Sequence, residues 1–464
     1  MVKFKRAKTN TYDSPLEESF RKVVTPLEHF LHNETASGGL LMLATIVALV
    51  CANSGLYHYY HHILETPIVI NVAGNSIDMS LHHWINDGFM TFFFFVVGLE
   101  IKRELLVGEL SDMKAAILPI IAAAGGMVFP ALIYYMLNGD GPGAAGWGVP
   151  MATDIAFAVG VMMLLGDRVP KTLITFLLAL AIVDDLGAVL VIAIFYTEQL
   201  NTIAMGWAGI FLLLLIMLNI VGMRKTSVRV VITIALWVAM LNTGIHATIA
   251  GVLAAFTVPC LPKVNARDFS EKIRYLTDKF DRLYNGRTVL LNNDRQRAVV
   301  MTMENVVTRV KSPLQSLEQN LHVPVAFVIL PIFALANAGV KIDPASFGAV
   351  MTDNVTLGIM GGLVLGKLIG ISGVSFIAVK MGIGQLPAGC NPSHLVGVGL
   401  MGGIGFTMSI FIAELGFRGD PDTLNIAKTG ILFASLLAGV AGYLWLRYMT
   451  GQPVQTVNET KNAH

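Results

Sequence analysis

Long apolar runs separated by short polar stretches dominate this chain. Runs of spanning length fall at about 39–56, 83–105, 114–137, 147–166, 172–196 and 203–222, then at 227–241 and 244–260. Four more follow at about 322–340, 356–380, 392–415 and 425–447. About 20 apolar residues rising 1.5 Å each cross a hydrocarbon core of roughly 30 Å, so each run is read as a membrane helix. The window count is twelve; the seventh and eighth runs are short, which leaves ten or eleven spans with re-entrant pieces as the alternative. The predicted fold class is an all-α polytopic membrane protein.

Two polar connections carry a pattern of their own. Residues 68–78 (IVINVAGNSID) alternate around Gly74-Asn75, which predicts a β-hairpin within 66–80 on the outer surface. Two strands alone are marginal in water, so this hairpin needs a partner. In the charged stretch 261–321, Phe269, Ile273, Leu276, Phe280 and Leu283 recur at helical spacing. Their stripe lies either on the membrane or against a second helix near 295–310.

Composition agrees with the pattern. The chain has 464 residues, 54% hydrophobic and 14% charged, where a soluble domain carries about 25% charged residues. A net charge of +1 gives no ground for a nucleic-acid partner. Abundant Gly (45) and Met (22) suit close helix packing in lipid. Cys51, Cys260 and Cys390 lie far apart without metal-ligand spacing and read as reduced packing residues. No cofactor is expected.

Basic residues set the orientation. Lys3, Lys5, Arg6, Lys8, Arg21 and Lys22 precede the first apolar run, and no A-x-A-like cleavage site follows it. With the N-terminus inside, Lys102, Arg103, Lys114, Arg168, Lys171, Arg224, Lys225, Arg229, the basic loop 263–311, Lys380 and Arg447 all fall inside. The outer loops hold Lys341 and Arg418. That bias predicts an even number of spans and two cytoplasmic termini: a basic arm 1–36, a membrane domain 37–448 and a tail 449–464.

Four charges sit deep in spans. Asp184 and Asp185 stand side by side at the middle of 172–196, and each costs roughly 2.5–3.5 kcal/mol at a helix centre. Lys367 lies at matching depth in 356–380, so one aspartate pairs with it and the other is left to bind something else. The two carboxylates point about 100° apart, which argues against a shared-proton dyad. Asp154 follows Pro150 and Thr153 in a span that the proline disturbs. Gly402, Gly403 and Gly405 weaken the span 392–415, where Thr407 and Ser409 add hydroxyls. These are the middle members of spans 3–5 and 10–12, units of opposite orientation, and such paired interruptions point to a transport site at the bilayer midplane. Three acids against one base make a pocket suited to a cation or protons.

Other polar residues lie nearer the ends. Asp87 (WINDGFM) either lines an outer funnel or caps a helix, and His246 (TGIHATIAG) either senses pH or packs. Glu100, Lys102, Arg103 and Glu104 (GLEIKREL) form either a pH-responsive cluster or a snorkelling boundary. Lys428 is expected to snorkel outward and Glu414 to sit at the interface.

Together WINDGFM, VVGLEIKREL, PMATDIAFAVGV, LALAIVDDLGAVLVIAIFYT, GIHATIAGV, ILPIFALANAGV, GKLIGI and GIGFTMSIFIAELGF resemble the bacterial NhaA-type sodium/proton antiporters, in unbroken order over about 36–447. The resemblance implies twelve spans with two crossed, partly unwound helices, an inverted-repeat architecture of which this family is itself a standard example. It implies that Asp185 carries ion and proton, that Asp184 assists and pairs with Lys367, that Thr153 lies near the cation, and that Asp154 offsets the dipole ends of the broken helices. Glu100, Arg103, Glu104 and Glu318 match the family's cytoplasmic funnel and pH-response region. The hairpin 68–78 matches its dimer contact. Expected partners are Na⁺, Li⁺, H⁺, lipid and a second copy of the chain; the expected location is the bacterial inner membrane. The chain departs from the family's pattern at Gln315 and Gln319, where better-known members tend to carry Lys and His, and in the longer loop 261–311.

The expected activity is electrogenic, pH-regulated exchange by competition of cation and protons for buried carboxylates. An intramembrane aspartyl hydrolase needs facing aspartates on different helices, which adjacent aspartates plus a lysine fit poorly. A channel or sodium-coupled symporter is the third class.

Overall fold

The computed structural model describes residues 34–448, apart from 73–74, 198, 222–225, 263–264 and 284–292. The expected basic arm, save its last residues, and the tail 449–464 lie outside the described residues. In chain order the structure has α1 (Glu34–Ala52), α2 (Tyr57–Glu65), β1 (Pro67–Val72) and β2 (Asn75–Ser80). Helices α3 (Leu81–Leu106) and α4 (Met113–Asn138) follow, then a 3₁₀ segment Pro142–Met151 leading into α5 (Ile155–Met163). Next come α6 (Lys171–Phe195), α7 (Thr202–Ile220), α8 (Thr226–Met240), α9 (Ile249–Thr257), α10 (Ala266–Arg282) and α11 (Asp294–Val310). The last are α12 (Pro313–Asn337), α13 (Asn354–Lys380), α14 (Pro392–Met401), α15 (Phe406–Gly416) and α16 (Pro421–Tyr448).

Among the described residues, seven helices are long and apolar enough to cross a membrane, and up to ten if each sharply bent pair is one span. The protein is a mostly helical, multi-pass membrane protein with one small sheet. The windows 227–241 and 244–260 correspond to α8 and α9, of 15 and 9 residues. At 1.5 Å per residue α9 rises about 14 Å, less than half a hydrocarbon core.

The first window runs differently from its reading. Helix α1 stops at Ala52 and the chain turns by 112° into α2. Asn53 fixes the turn: its side chain donates to Val340 O at 2.8 Å and accepts from Ile342 N at 2.7 Å. The ninth span also begins earlier than expected, at Pro313 rather than about 322. Ser312 caps it by accepting from Gln315 N, and Pro313 needs no amide partner at that position. Gln315, Glu318 and Gln319 therefore stand on the first turns of α12, not before it.

The hairpin forms, paired Val72 with Asn75 and Pro67 with Ser80. Its connection is thus 73–74, one residue earlier than Gly74-Asn75, and lies outside the described residues. The amphipathic stripe packs against a second helix: Leu276 meets Val299 and Val306 of α11, with Phe269, Ile273, Phe280 and Leu283 around them. This small core is separate from the membrane core.

Helices α4 and α13 meet through glycines. Gly362, Gly366 and Gly370 recur every fourth residue on α13, the small-residue spacing that lets membrane helices approach closely. A Cβ on Gly370 would lie 2.2 Å from Gly125 O, so the backbones touch there.

Two outcomes follow. Gly370→Val forces α4 and α13 apart and lowers the melting temperature of purified protein. Leu276→Ala costs about 2–4 kcal/mol in the α10–α11 pair; hydrogen exchange speeds up across 266–282 and 294–310 and stays slow in α4 and α13.

Candidate functional site

The site is built where two interrupted helices meet. The 3₁₀ segment Pro142–Met151 and α5 are bent by 43° at 152–154, and α14 and α15 by 47° at 402–405. Pro150 on one strand of backbone and Gly402, Gly403 and Gly405 on the other account for the breaks. Each break satisfies the other's freed groups: Asp154 N donates to Ile404 O at 2.7 Å, and Thr153 Oγ1 donates to Gly402 O at 2.8 Å. One turn further along, Ser409 Oγ donates to Val149 O at 2.8 Å.

Asp154 ties both helix starts. Its Oδ1 accepts from Phe157 N at 3.0 Å in α5, and its Oδ2 accepts from Thr407 N at 3.0 Å and from the Thr407 hydroxyl in α15. Two helix N-termini, each with a partial positive charge, converge on this one carboxylate. That is a role for Asp154 in holding the crossing together.

Lys367 lies opposite on α13, between two π-helical stretches, Gly361–Gly366 and Leu368–Gly373. Such widened turns interrupt the regular ladder and recur at functional positions. Its Nζ donates to Asp184 Oδ2 at 2.7 Å, with side chains 0% and 1% exposed. Thr153 lies beside Asp184. Asp185, also 1% exposed, has neither carboxylate oxygen in a hydrogen bond among the described residues.

A cavity of about 820 Å³ reaches this point. Its floor includes Asp185, Asp154 and Thr407, with Glu100 near Asp185, and Arg103, Glu104 and Glu318 line its other end. Arg103 links that end together, 3.0 Å from Glu104 and 3.1 Å from Glu318. Neither Asp184 nor Lys367 lines the cavity, so the two adjacent aspartates have different surroundings. Lys102 does not join the acidic cluster; its ammonium caps the end of α9 at Phe256 O and Val258 O, both 2.6 Å.

At the opposite end of α3, Asp87 and His246 come together, Oδ1 to Nε2 at 3.3 Å, while His246 Nδ1 meets Thr248 Oγ1 at 2.7 Å. Lys428 does not snorkel. It turns inward to Glu414, Nζ to Oε1 2.5 Å, with His82 Nε2 3.6 Å from the same oxygen. Three ionisable residues near span ends were the available signal for this cluster, but each alone looks like an interface residue. The three cysteines are free, and burial pushes the Cys390 thiol up. No His, Cys, Asp and Glu grouping among the described residues fits a bound metal.

A bundle of apolar helices, a crossing of two broken ones and a buried carboxylate at the foot of a cavity are the features of a membrane protein of the transporter class. The chain belongs to the Na⁺/H⁺ antiporter 1 family, which it matches over residues 28–446. It is 50% identical to Na(+)/H(+) antiporter NhaA 1 of Saccharophagus degradans, over 94% of each chain. It is 49% identical to the antiporter NhaA of Sulfurimonas denitrificans, over 94% of this chain and 98% of that one. With NhaA of Dichelobacter nodosus it shares 43% over 95% of each.

Removing one member of the buried pair leaves a charge unpaired. Lys367→Ala is expected to lower stability by an amount on the order of 3–5 kcal/mol, and Lys367→Met combined with Asp184→Leu to recover most of it. Thermal unfolding of the three purified proteins in detergent checks this.

Proposed function

We propose that this protein exchanges cytoplasmic Na⁺ or Li⁺ for external H⁺, with Asp185 as the principal carrier of both. The observation that carries this reading is the contrast within the adjacent pair. Asp184 is held by Lys367, while Asp185 is buried at the cavity floor with no hydrogen bond to either oxygen among the described residues. A buried carboxylate in that position binds a proton or a cation, because the bare anion is costly in a low-dielectric bundle.

Hard cations prefer oxygen donors, and Asp185, Asp184, the Thr153 hydroxyl and backbone carbonyls at the crossing are the donors at hand. A proton on Asp185 removes the charge that the cation needs, and a cation there repels the proton. Competition at one carboxylate thus couples the two flows without a second site. Asp154 supports the crossing through α5 and α15 rather than holding the ion. If Lys367 or Asp184 releases a proton in the same step, more than one H⁺ moves per cation, and exchange is electrogenic.

The reading extends to the whole fold as twelve spans in two inverted units around spans 4 and 11, with both termini in the cytoplasm of a bacterial inner membrane. The end of the cavity bearing Arg103, Glu104 and Glu318 is its cytoplasmic mouth, and with Glu100 these residues are the place of pH response. Asp87 and His246 belong to the outer route. Two chains pair through the hairpin, whose Ile68, Val69 and Ile70 are exposed and whose two strands have no further strand beside them among the described residues.

In everted vesicles, adding Na⁺ or Li⁺ dissipates a preformed ΔpH for the wild type, and Asp185→Asn abolishes the response. An unchanged ΔpH at every pH from about 6.5 to 9 rejects the exchange reading; normal exchange by Asp185→Asn rejects the residue assignment.

A further inference from the structure

One face of α15 runs from the site to the far end of the bundle. Thr407, Phe411 and Glu414 follow each other at i, i+4 and i+7, so they share a stripe about 10 Å long. Thr407 reaches the cavity floor and Asp154. Phe411, fully buried, sits in an aromatic layer with ring centroids 5.3 Å from Phe94, 5.3 Å from His246 and 6.2 Å from Phe333. Glu414 then binds Lys428 of α16, with side chains 13% and 12% exposed. His82, at the first turn of α3, stands 3.6 Å from Glu414 and bonds Asn337 Oδ1 at 3.0 Å, at the last residue of α12. Arg103 is 21 residues further along α3, about 31 Å at helical rise, so this cluster closes the end opposite the cavity mouth.

We propose that the Glu414–Lys428 ion pair is the latch of the passage opposite the cavity, and that its release is a step of the exchange cycle. The inference rests on the Na⁺/H⁺ exchange reading. An exchanger must open each side in turn. Helix α15, like the longer α3 and α12, touches the site, the aromatic layer and the closed end, but it alone of the three is a half-helix that starts at the crossing. It is only 11 residues long and is set off from α14 by the 47° break at 402–405. Glu414 and Lys428 hold its far end to α16 and, through His82 and Asn337, near the ends of α3 and α12. These are positioning residues: they touch no transported ion.

A bond made in one state favours that state by its differential strength. Breaking it lowers the population open to the cavity side, which weakens apparent binding there and strengthens it at the opposite face. The experiment uses full-length protein in liposomes of known sidedness, with Na⁺ titrated from each face for wild type, Glu414→Gln, Lys428→Gln and the swap Glu414→Lys/Lys428→Glu. Either single variant raises the half-saturating Na⁺ on the cavity side about threefold or more and lowers it by a similar factor on the other. The swap returns both to within about twofold of wild type.

Constants that stay within about twofold in the single variants, or that move in the same direction on both faces, overturn the latch while leaving exchange intact. So does a swap as displaced as the single variants. Failure of both single variants to insert makes the pair a structural clamp and also overturns it. A wild type that moves no Na⁺ against H⁺ rejects the exchange reading and takes the latch with it.

Discussion

The bridge between Lys367 and Asp184 is the constraint on which the membrane core turns. An ammonium with no exposure has to be matched by an anion at the same depth, and the match is direct at 2.7 Å. Meeting it needs α6 and α13 on either side of α4 at close range. The glycine contact between α4 and α13 supplies that range: a Cβ on Gly126 would lie 2.8 Å from Ile371 Cγ1, one turn along α13 from Lys367. Lys367 also sits between two widened turns of its own helix. Asp184 is thereby fixed, and its neighbour is turned about 100° away, toward the cavity.

The crossing of the interrupted helices solves a second problem in the same place. Breaking a helix in lipid frees backbone groups that no water can satisfy. Here the two breaks are spent on each other, Asp154 N to Ile404 O and Thr153 Oγ1 to Gly402 O, and Asp154 gathers the two new N-termini. Irregular backbone, a carboxylate and hydroxyls come together without a lone polar group facing hydrocarbon. The neighbouring carboxylate of Asp185 differs: it lies on the cavity with neither oxygen hydrogen-bonded among the described residues.

The polar layers on either side of that site differ in chemistry. Toward the cavity mouth, Arg103 is shared between two acids and remains 42% exposed, as a wet entrance requires. Toward the other end the charged groups accompany rings: Phe94, Phe333 and Phe411 form a layer against His246, which pairs with Asp87, and Glu414 pairs with Lys428, all four of these ionisable side chains being 5–13% exposed. The one half-exposed charge of these layers, Arg103, thus stands on the cavity side.

Much of this was legible along the chain. Apolar runs of spanning length, the period of Phe269 to Leu283, and the weakening of two spans by Pro150 and by Gly402, Gly403 and Gly405 are local properties. They follow from backbone geometry and the cost of burying charge, so the sequence by itself determined that this is a helical membrane protein with four charges that must find company. The residues alone left open which aspartate meets Lys367, because adjacent positions on a helix have the same depth and composition; only the facing of α6 against α13 decided for Asp184. Nor does spacing reveal that His82, Glu414 and Lys428 converge, since they lie on α3, α15 and α16 and each alone suits a span end. Pairings across hundreds of residues depend on how helices rotate and cross, and packing sets that rotation where hydropathy does not. Tertiary structure also moved the start of α12 to Pro313, where Leu314 is buried against Leu99, Ala255 and Val258 despite the polar residues around it.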